Sequence, residues 1–234
     1  SLETRAGLES SRIDDMLSET AADLTAHAAS IGLDDAVDAG DLAAIRARFT
    51  QLLDISPAVL TGAVVDADGA IVIDSSVLDS GRVPPPVDPA EVARSMSEME
   101  LGEPFSVGRA YEVTSTDDRY RMFVALGSGK QRTHALVVEL DLQPIQGLFG
   151  NQEEIGRTAE AHLVQAVDDG AQYITAPRFD EGLGFTVVPS SKRRSPTVLA
   201  AYGTAATYDG VRDYRNHSVI ASVRPVTGTP WALV

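Results

Sequence analysis

The feature that most constrains this chain is internal repetition. Val64-Val65-Asp66-Ala67-Asp68-Gly69-Ala70-Ile71-Val72-Ile73 is a strand, an Asp-Gly turn and a strand, and residues 163–175, turning at Asp168-Asp169-Gly170, repeat the pattern. Each copy is followed by a long irregular stretch and then by a second hairpin. In the first copy residues 120–126 and 135–142 flank Gly127-Ser128-Gly129; in the second, residues 217–226 and 231–234 flank Thr227-Gly228-Thr229-Pro230. A pattern that recurs at this scale specifies two similar α+β modules in tandem, each a mostly antiparallel sheet with flanking helices.

The helical segments frame these modules. Ile13, Met16, Leu17, Thr20, Leu24, Ala28 and Ile31 recur at steps of three and four without an intervening proline, which predicts one long helix over residues 3–31, stopped by Gly32. At 1.5 Å per residue it would be about 40 Å long, more than one small module can cover. The Leu17, Leu24, Ile31 spacing suits either a self-association seam or packing on the chain's own domain. Asp41 is a good N-cap for a second helix through Leu53, which Pro57 ends, and Asp88-Pro89 opens a short helix through Val92 and Met96. The expected organisation is a helical N-terminal region over residues 1–56, a first module over 57–149 and a second over 150–234, with the boundary within residues 150–156.

No stretch approaches the run of about 20 apolar residues that a membrane span needs. The chain stops at Trp231-Ala232-Leu233-Val234, inside strand-like sequence, so it reads as a segment of a longer protein. With no cysteine there are no disulfides or thiolate metal sites. A formal net charge of -15 argues against nucleic acid, whose phosphates demand a basic face. Lys130 and Lys192 are the only lysines, and the acids are spread along the whole chain. That pattern resembles proteins of salt-loving organisms, in which salt screens the self-repulsion of an anionic surface.

Motifs for chemistry are incomplete. Asp66-Ala67-Asp68-Gly69 lacks the later ligands of a calcium loop and reads as a turn. Gly127-Ser128-Gly129-Lys130-Gln131 carries only the end of a phosphate-binding loop. His27, His134, His162 and His217 are scattered, with no spacing that would pair them on a metal, and no Gly-x-Ser-x-Gly elbow exists. Lys192-Arg193-Arg194 reads as a solvated loop. No catalytic residue, cofactor or metal site is expected. The suggestive residues are Arg109, Tyr111, Arg119, Tyr120 and Arg121, around strands where alternate side chains share a face. An arginine fork beside tyrosines can hold a carboxylate or phosphate, or can simply pair with surface acids.

Two stretches carry a family resemblance. Gly156-Arg157-Thr158-Ala159-Glu160-Ala161-His162-Leu163-Val164, running into Asp169-Gly170, resembles the Gly-x-Thr-Gly-Glu-x-Tyr-Leu-Val…Asp-Gly signature of the second module of double CACHE sensor domains, with Ala159 and His162 in place of the glycine and the tyrosine. Gly210-Val211-Arg212-Asp213-Tyr214, then residues 220–226 and 228–234, is similar to that module's closing pattern. The resemblance covers essentially the whole chain. It implies a long helix carrying membrane-distal and membrane-proximal PAS-like modules, in the extracellular part of a two-span prokaryotic receptor that is a homodimer at full length.

It further implies a non-catalytic sensor for a small molecule. The expected output is a haloarchaeal sensor histidine kinase in a two-component system; a methyl-accepting chemotaxis transducer is the alternative. A surface α+β enzyme would need a convergent catalytic set that the sequence does not contain. The family's amino-acid-binding subset has an Arg-x-Trp-Tyr segment and an aspartate on the last distal strand. Residues 94–100 offer no aromatic pair and Glu139 stands about where the aspartate would be, so the resemblance leaves the ligand's identity open. Arg109, Tyr111, Tyr120, Arg121 and Glu139 are the expected ligand-binding residues, with Val83 to Tyr120 supplying the loops. Tyr120 and Arg121 are adjacent, so only one can face the pocket, and Phe123 and Ala125 share the face of Arg121.

Overall fold

The computed structural model describes residues 2–77, 86–100, 102–114, 116–127, 133–149 and 158–234. The expected turn at Ser128-Gly129, the connection from Gly81 to Pro85 that includes Val83, and the expected boundary at residues 150–156 lie outside them.

Helix α1 runs over Leu2–Ser30 and ends where Gly32 takes a left-handed φ of 71°. Ile13, Leu17, Leu24, Ala28 and Ile31 are all buried, so the seven-residue spacing serves the chain's own core. Gly32 leads directly into a short helix the periodicity did not reveal, α2 (Leu33–Asp38). Helix α3 (Leu42–Ile55) begins as its sequence dictates: the Asp41 carboxylate accepts from the backbone N–H groups of Ala43 and Ala44, each at 3.0 Å, and Ile45, Phe49 and Leu52 are buried.

The first sheet contains β1 (Val59–Asp66), β2 (Ile71–Asp74), β3 (Phe105–Thr114), β4 (Asp117–Leu126) and β5 (His134–Asp141), in the order β2-β1-β5-β4-β3. Helix α4 (Pro89–Glu100) lies between β2 and β3 in the chain and α5 (Gln143–Gly147) follows β5. The second sheet contains β6 (Leu163–Val167), β7 (Gly170–Tyr173), β8 (Val187–Pro189), β9 (Ala206–Arg212), β10 (Ser218–Pro225) and β11 (Trp231–Leu233), in the order β8-β7-β6-β11-β10-β9, with α6 (Pro196–Tyr202) between β8 and β9. Without the edge strand β8, the two orders are the same. The duplication in sequence is a duplication of topology: each sheet is built from a first hairpin, a helix that crosses over, and a closing antiparallel run.

The helix inserted in each copy covers its own sheet. Val92, Met96 and Met99 of α4 pack with Ala63, Val65, Phe123, Ala135 and Val137, and Ala200 of α6 packs with Val164, Tyr173, Val223 and Ala232. The other face of the first sheet takes α3, since a Cβ added at Gly62 would lie 3.6 Å from the Phe49 and Leu53 side chains. The two compact units are discontinuous in sequence. One comprises residues 17–108 and 119–141; the other comprises residues 1–16, 109–118 and 142–234. Residues 109–118 belong with the latter for a local reason: the Gln165 side chain accepts from the Ala110 N–H at 2.9 Å and donates to its carbonyl at 2.7 Å.

The two Asp-Gly turns use their glycines differently. Gly69 has a left-handed φ of 82°, which side chains disfavour. Gly170 has no such angle; a Cβ there would run into the carbonyl oxygen of Val188 on the neighbouring strand β8.

Candidate functional site

The site follows from strand alternation in the first sheet. Thr61 on β1, Glu139 on β5 and Arg121 on β4 occupy aligned register positions on three adjacent strands. They therefore share one face with Ala63, Val137 and Phe123, the face that α4 covers. Glu139 is the centre of the group. Its carboxylate accepts from the Thr61 hydroxyl at 2.6 Å, lies 3.4 Å from Arg119 Nη1 and 3.5 Å from Arg121 Nε. Arg121 turns its other nitrogens toward α4, donating to the Glu91 carboxylate at 3.2 Å and to the Pro86 carbonyl at 3.1 Å.

Two guanidinium groups and two carboxylates thus meet with their charges balanced. The Glu139 side chain is 3% exposed and that of Arg121 11%. Desolvating such a set costs several kcal/mol per ion, and only good geometry with further hydrogen bonds offsets it. Gly108 on β3 makes room for the arrangement: a Cβ there would collide with the Glu91 carboxylate and come 3.4 Å from the Arg121 Cβ. A polar, charge-balanced patch set into an otherwise apolar face can exchange its internal partners for those of a ligand carrying both signs of charge.

The residues expected from sequence divide between the two units. Arg121 and Glu139 are brought together. Tyr120 is buried on the opposite face of β4, opposite Leu140, and burial followed by the nearby Asp141 charge pushes its hydroxyl well above the ordinary phenol range. Arg109 and Tyr111 belong to the other unit, where Arg109 lies 3.4 Å from Asp168, both side chains being more than half exposed. Such a pair contributes little. Thr61 and Glu91 were absent from the expectation. Thr61 could have been found from its place two residues before Ala63 on an inward-facing strand, whereas only packing brings Glu91 over Arg121.

Three of the four histidines have separate surroundings. His27 Nδ1 lies 3.1 Å from the Ser56 hydroxyl and His134 Nδ1 2.9 Å from that of Thr133, while His162 is buried in the second unit. Among the described residues no group of three or more His, Asp or Glu comes together that could hold a metal ion.

No family model and no curated protein sequence matches the chain. Solved structures do. The chain is similar to the ligand-binding domain of the Pseudomonas aeruginosa PAO1 amino-acid chemoreceptor PctC, in complex with GABA, at a TM-score of 0.61 and 16% identity, over 98% of this chain and 95% of that one. It is similar to the ligand-binding domain of the Pseudomonas fluorescens chemoreceptor CtaA, in complex with L-leucine, at 0.59 and 14%, over 99% and 90%. It also resembles the periplasmic sensory domain of the Campylobacter jejuni chemoreceptor Tlp1, at 0.54 and 12%, over 99% and 92%. At these identities the likeness is one of fold, and it extends over nearly the full length of both chains.

Proposed function

We propose that this chain is the extracytoplasmic sensor region of a membrane receptor, and that it binds a small zwitterionic molecule on the first sheet, between Arg121 and Glu139. The observation that carries the reading is the buried charge-balanced group of Arg119, Arg121, Glu91 and Glu139 on the face beneath α4. A ligand with one carboxylate and one ammonium would take Arg121 and Glu139 as partners without leaving either charge uncompensated. The sensory domains of similar fold, named with GABA and L-leucine, support a ligand of this size and charge.

Signalling follows from competition. Glu91 lies on Arg121 where a ligand carboxylate would lie, so binding releases the first turn of α4 from the sheet. A ligand that prefers the released state shifts the population between two conformations by its difference in affinity for them. Of the two expected outputs, the chemotaxis transducer is favoured over the histidine kinase, because the similar structures come from chemoreceptors. No described helix is long and apolar enough to cross a membrane. The reading places the anchoring spans outside this chain, in a full-length receptor that is a homodimer.

A thermal-shift screen tests the reading. The panel contains amino acids, GABA, monocarboxylates, simple amines and sugars. The expected result is a rise in melting temperature confined to the zwitterions; a panel in which no zwitterion stabilises the protein overturns the proposal.

A further inference from the structure

The second unit contains a cavity of about 450 Å³ that the first site does not use. Its inner wall is formed by His162, Tyr173, Thr197 and Leu233, and its mouth carries Leu2 and Ile220, exposed apolar side chains at 44% and 56%. Exposed apolar groups at the rim of a partly apolar concavity mark a place where a ligand body is accommodated.

The polar groups around the cavity are not equal. Arg5 and Arg215 line it together with Glu9, Glu160 and Asp213. Most of these charges already have partners. Arg215 holds Asp213 through two nitrogens, at 2.9 and 3.0 Å, and stacks on Phe179 with its guanidinium carbon 4.3 Å from the ring centroid. Glu160 accepts from the Tyr214 hydroxyl at 2.9 Å and from the Arg178 N–H at 3.1 Å, and Glu9 pairs with Arg12 at 3.3 Å. The Tyr173 hydroxyl accepts from Thr197 at 2.9 Å.

His162 is the exception. It is 4% exposed, and neither Nδ1 nor Nε2 has a hydrogen-bond partner among the described residues. Its backbone is fixed by exchange with Val234, at 3.1 and 2.9 Å, which holds the residue at the cavity wall. Tyr173 contributes only a tilted ring contact at 5.2 Å between centroids. A neutral imidazole carries one donor and one acceptor, and leaving both unsatisfied in a buried position is costly.

We propose that this cavity is a second small-molecule site, for an uncharged ligand with an apolar body and a hydroxyl or carboxamide group that pairs with the His162 imidazole. Such a head group can accept from one ring nitrogen or donate to the other. The body lies against Tyr173, Leu233 and Ile220. A carboxylate ligand would face three acidic side chains, Glu9, Glu160 and Asp213, against two arginines, Arg5 and Arg215, the latter already committed to Asp213. An ammonium ligand would find Glu160 and Asp213 already bonded and His162 in apolar surroundings.

Four probes with one skeleton test this: 2-phenylethanol and phenylacetamide against phenylacetate and 2-phenylethylamine. Binding is followed through the imidazole nitrogen resonances of His162 by NMR, with the signal assigned by its loss in His162→Leu. The uncharged pair is expected to shift those resonances and saturate. The charged pair should bind at least about ten-fold more weakly, the scale of one unmade hydrogen bond. His162→Leu should lose at least about ten-fold in affinity for phenylacetamide, and His162→Gln, which keeps a donor and an acceptor, should retain most of it. Arg121→Gln should leave phenylacetamide binding unchanged, which separates this site from the one on the first sheet. Equal binding of the charged probes, unchanged binding in His162→Leu, or no probe moving the His162 signals overturns the proposal.

Discussion

Arg121 and Glu139 stand opposite each other at one antiparallel register position of β4 and β5, with 3.5 Å between Nε and Oε1, on the face that α4 covers. Each also has a second partner of opposite charge, Glu91 for Arg121 and Arg119 for Glu139, so the pair is the middle of a four-member chain of charges.

Removing Glu139 leaves two arginines to share one carboxylate under α4. Glu139→Ala should destabilise the protein by about 3 kcal/mol, the scale for breaking a buried pair from one side, and Glu139→Gln by less because the amide still accepts from Thr61. Urea denaturation of the two variants beside the wild type measures this. A change in Glu139→Ala indistinguishable from zero would mean that the pair contributes nothing to the fold.

Glu91 competes with any ligand carboxylate for Arg121. Glu91→Gln, whose amide oxygen still accepts from Arg121 but without the charge, should therefore raise affinity for a zwitterionic ligand about three- to ten-fold, the scale of one ordinary hydrogen bond. Titration calorimetry reads it directly. A weaker ligand affinity in Glu91→Gln would show that Glu91 helps to hold the ligand.

His162 gives stability a pH dependence of known sign. Burial lowers its pKa from 6.5 to about 4, so the folded chain keeps the ring neutral where the unfolded chain takes up a proton. The stability it contributes is complete above about 6.5 and is lost as pH falls toward about 4, a change of about 3 kcal/mol. Glu160, raised by burial, acts in the opposite sense, but it is present in both proteins of the comparison. The stability gap between His162→Leu and wild type should widen in favour of the variant between pH 7 and about pH 4. A gap independent of pH would show that His162 titrates normally in the fold.

With a net charge of -15, like-charge repulsion acts on the compact state, and salt screens it over a Debye length of about 10 Å at 0.1 M and about 3 Å at 1 M. The melting temperature should rise steadily with potassium chloride into the molar range. A flat profile would remove the affinity with proteins of salt-loving organisms.

The repeated hairpins were legible because alternation and Asp-Gly turns are local signals, and α1 and α3 because their apolar spacing is long enough to be read. Helix α6 was not: seven residues give too little periodicity, although Ser195-Pro196 marks a helix start. The equivalence of the two Asp-Gly turns hid a difference that only tertiary contact decides, since Gly170 answers to the Val188 carbonyl and Gly69 to its own φ. At the site, strand parity alone put Arg121 with Phe123 and Ala125. That Glu91 lies on Arg121 could not be read, because it depends on how α4 crosses the sheet. His162 read as one of four scattered histidines. Its enclosure beside a cavity is set by Val234, far from it in sequence, and by Tyr173 on the next strand.

The most direct test is a titration of the strongest zwitterion from the thermal-shift panel, together with the amine and the acid that each lack one of its charges, into wild type, Arg121→Gln and Glu139→Gln. Wild type is expected to prefer the zwitterion to either analogue by about a hundred-fold, the scale of a lost charge-assisted hydrogen bond, with Arg121→Gln abolishing the preference over the amine and Glu139→Gln the preference over the acid. Preferences that survive both substitutions, or a panel in which no zwitterion binds, would contradict the proposal.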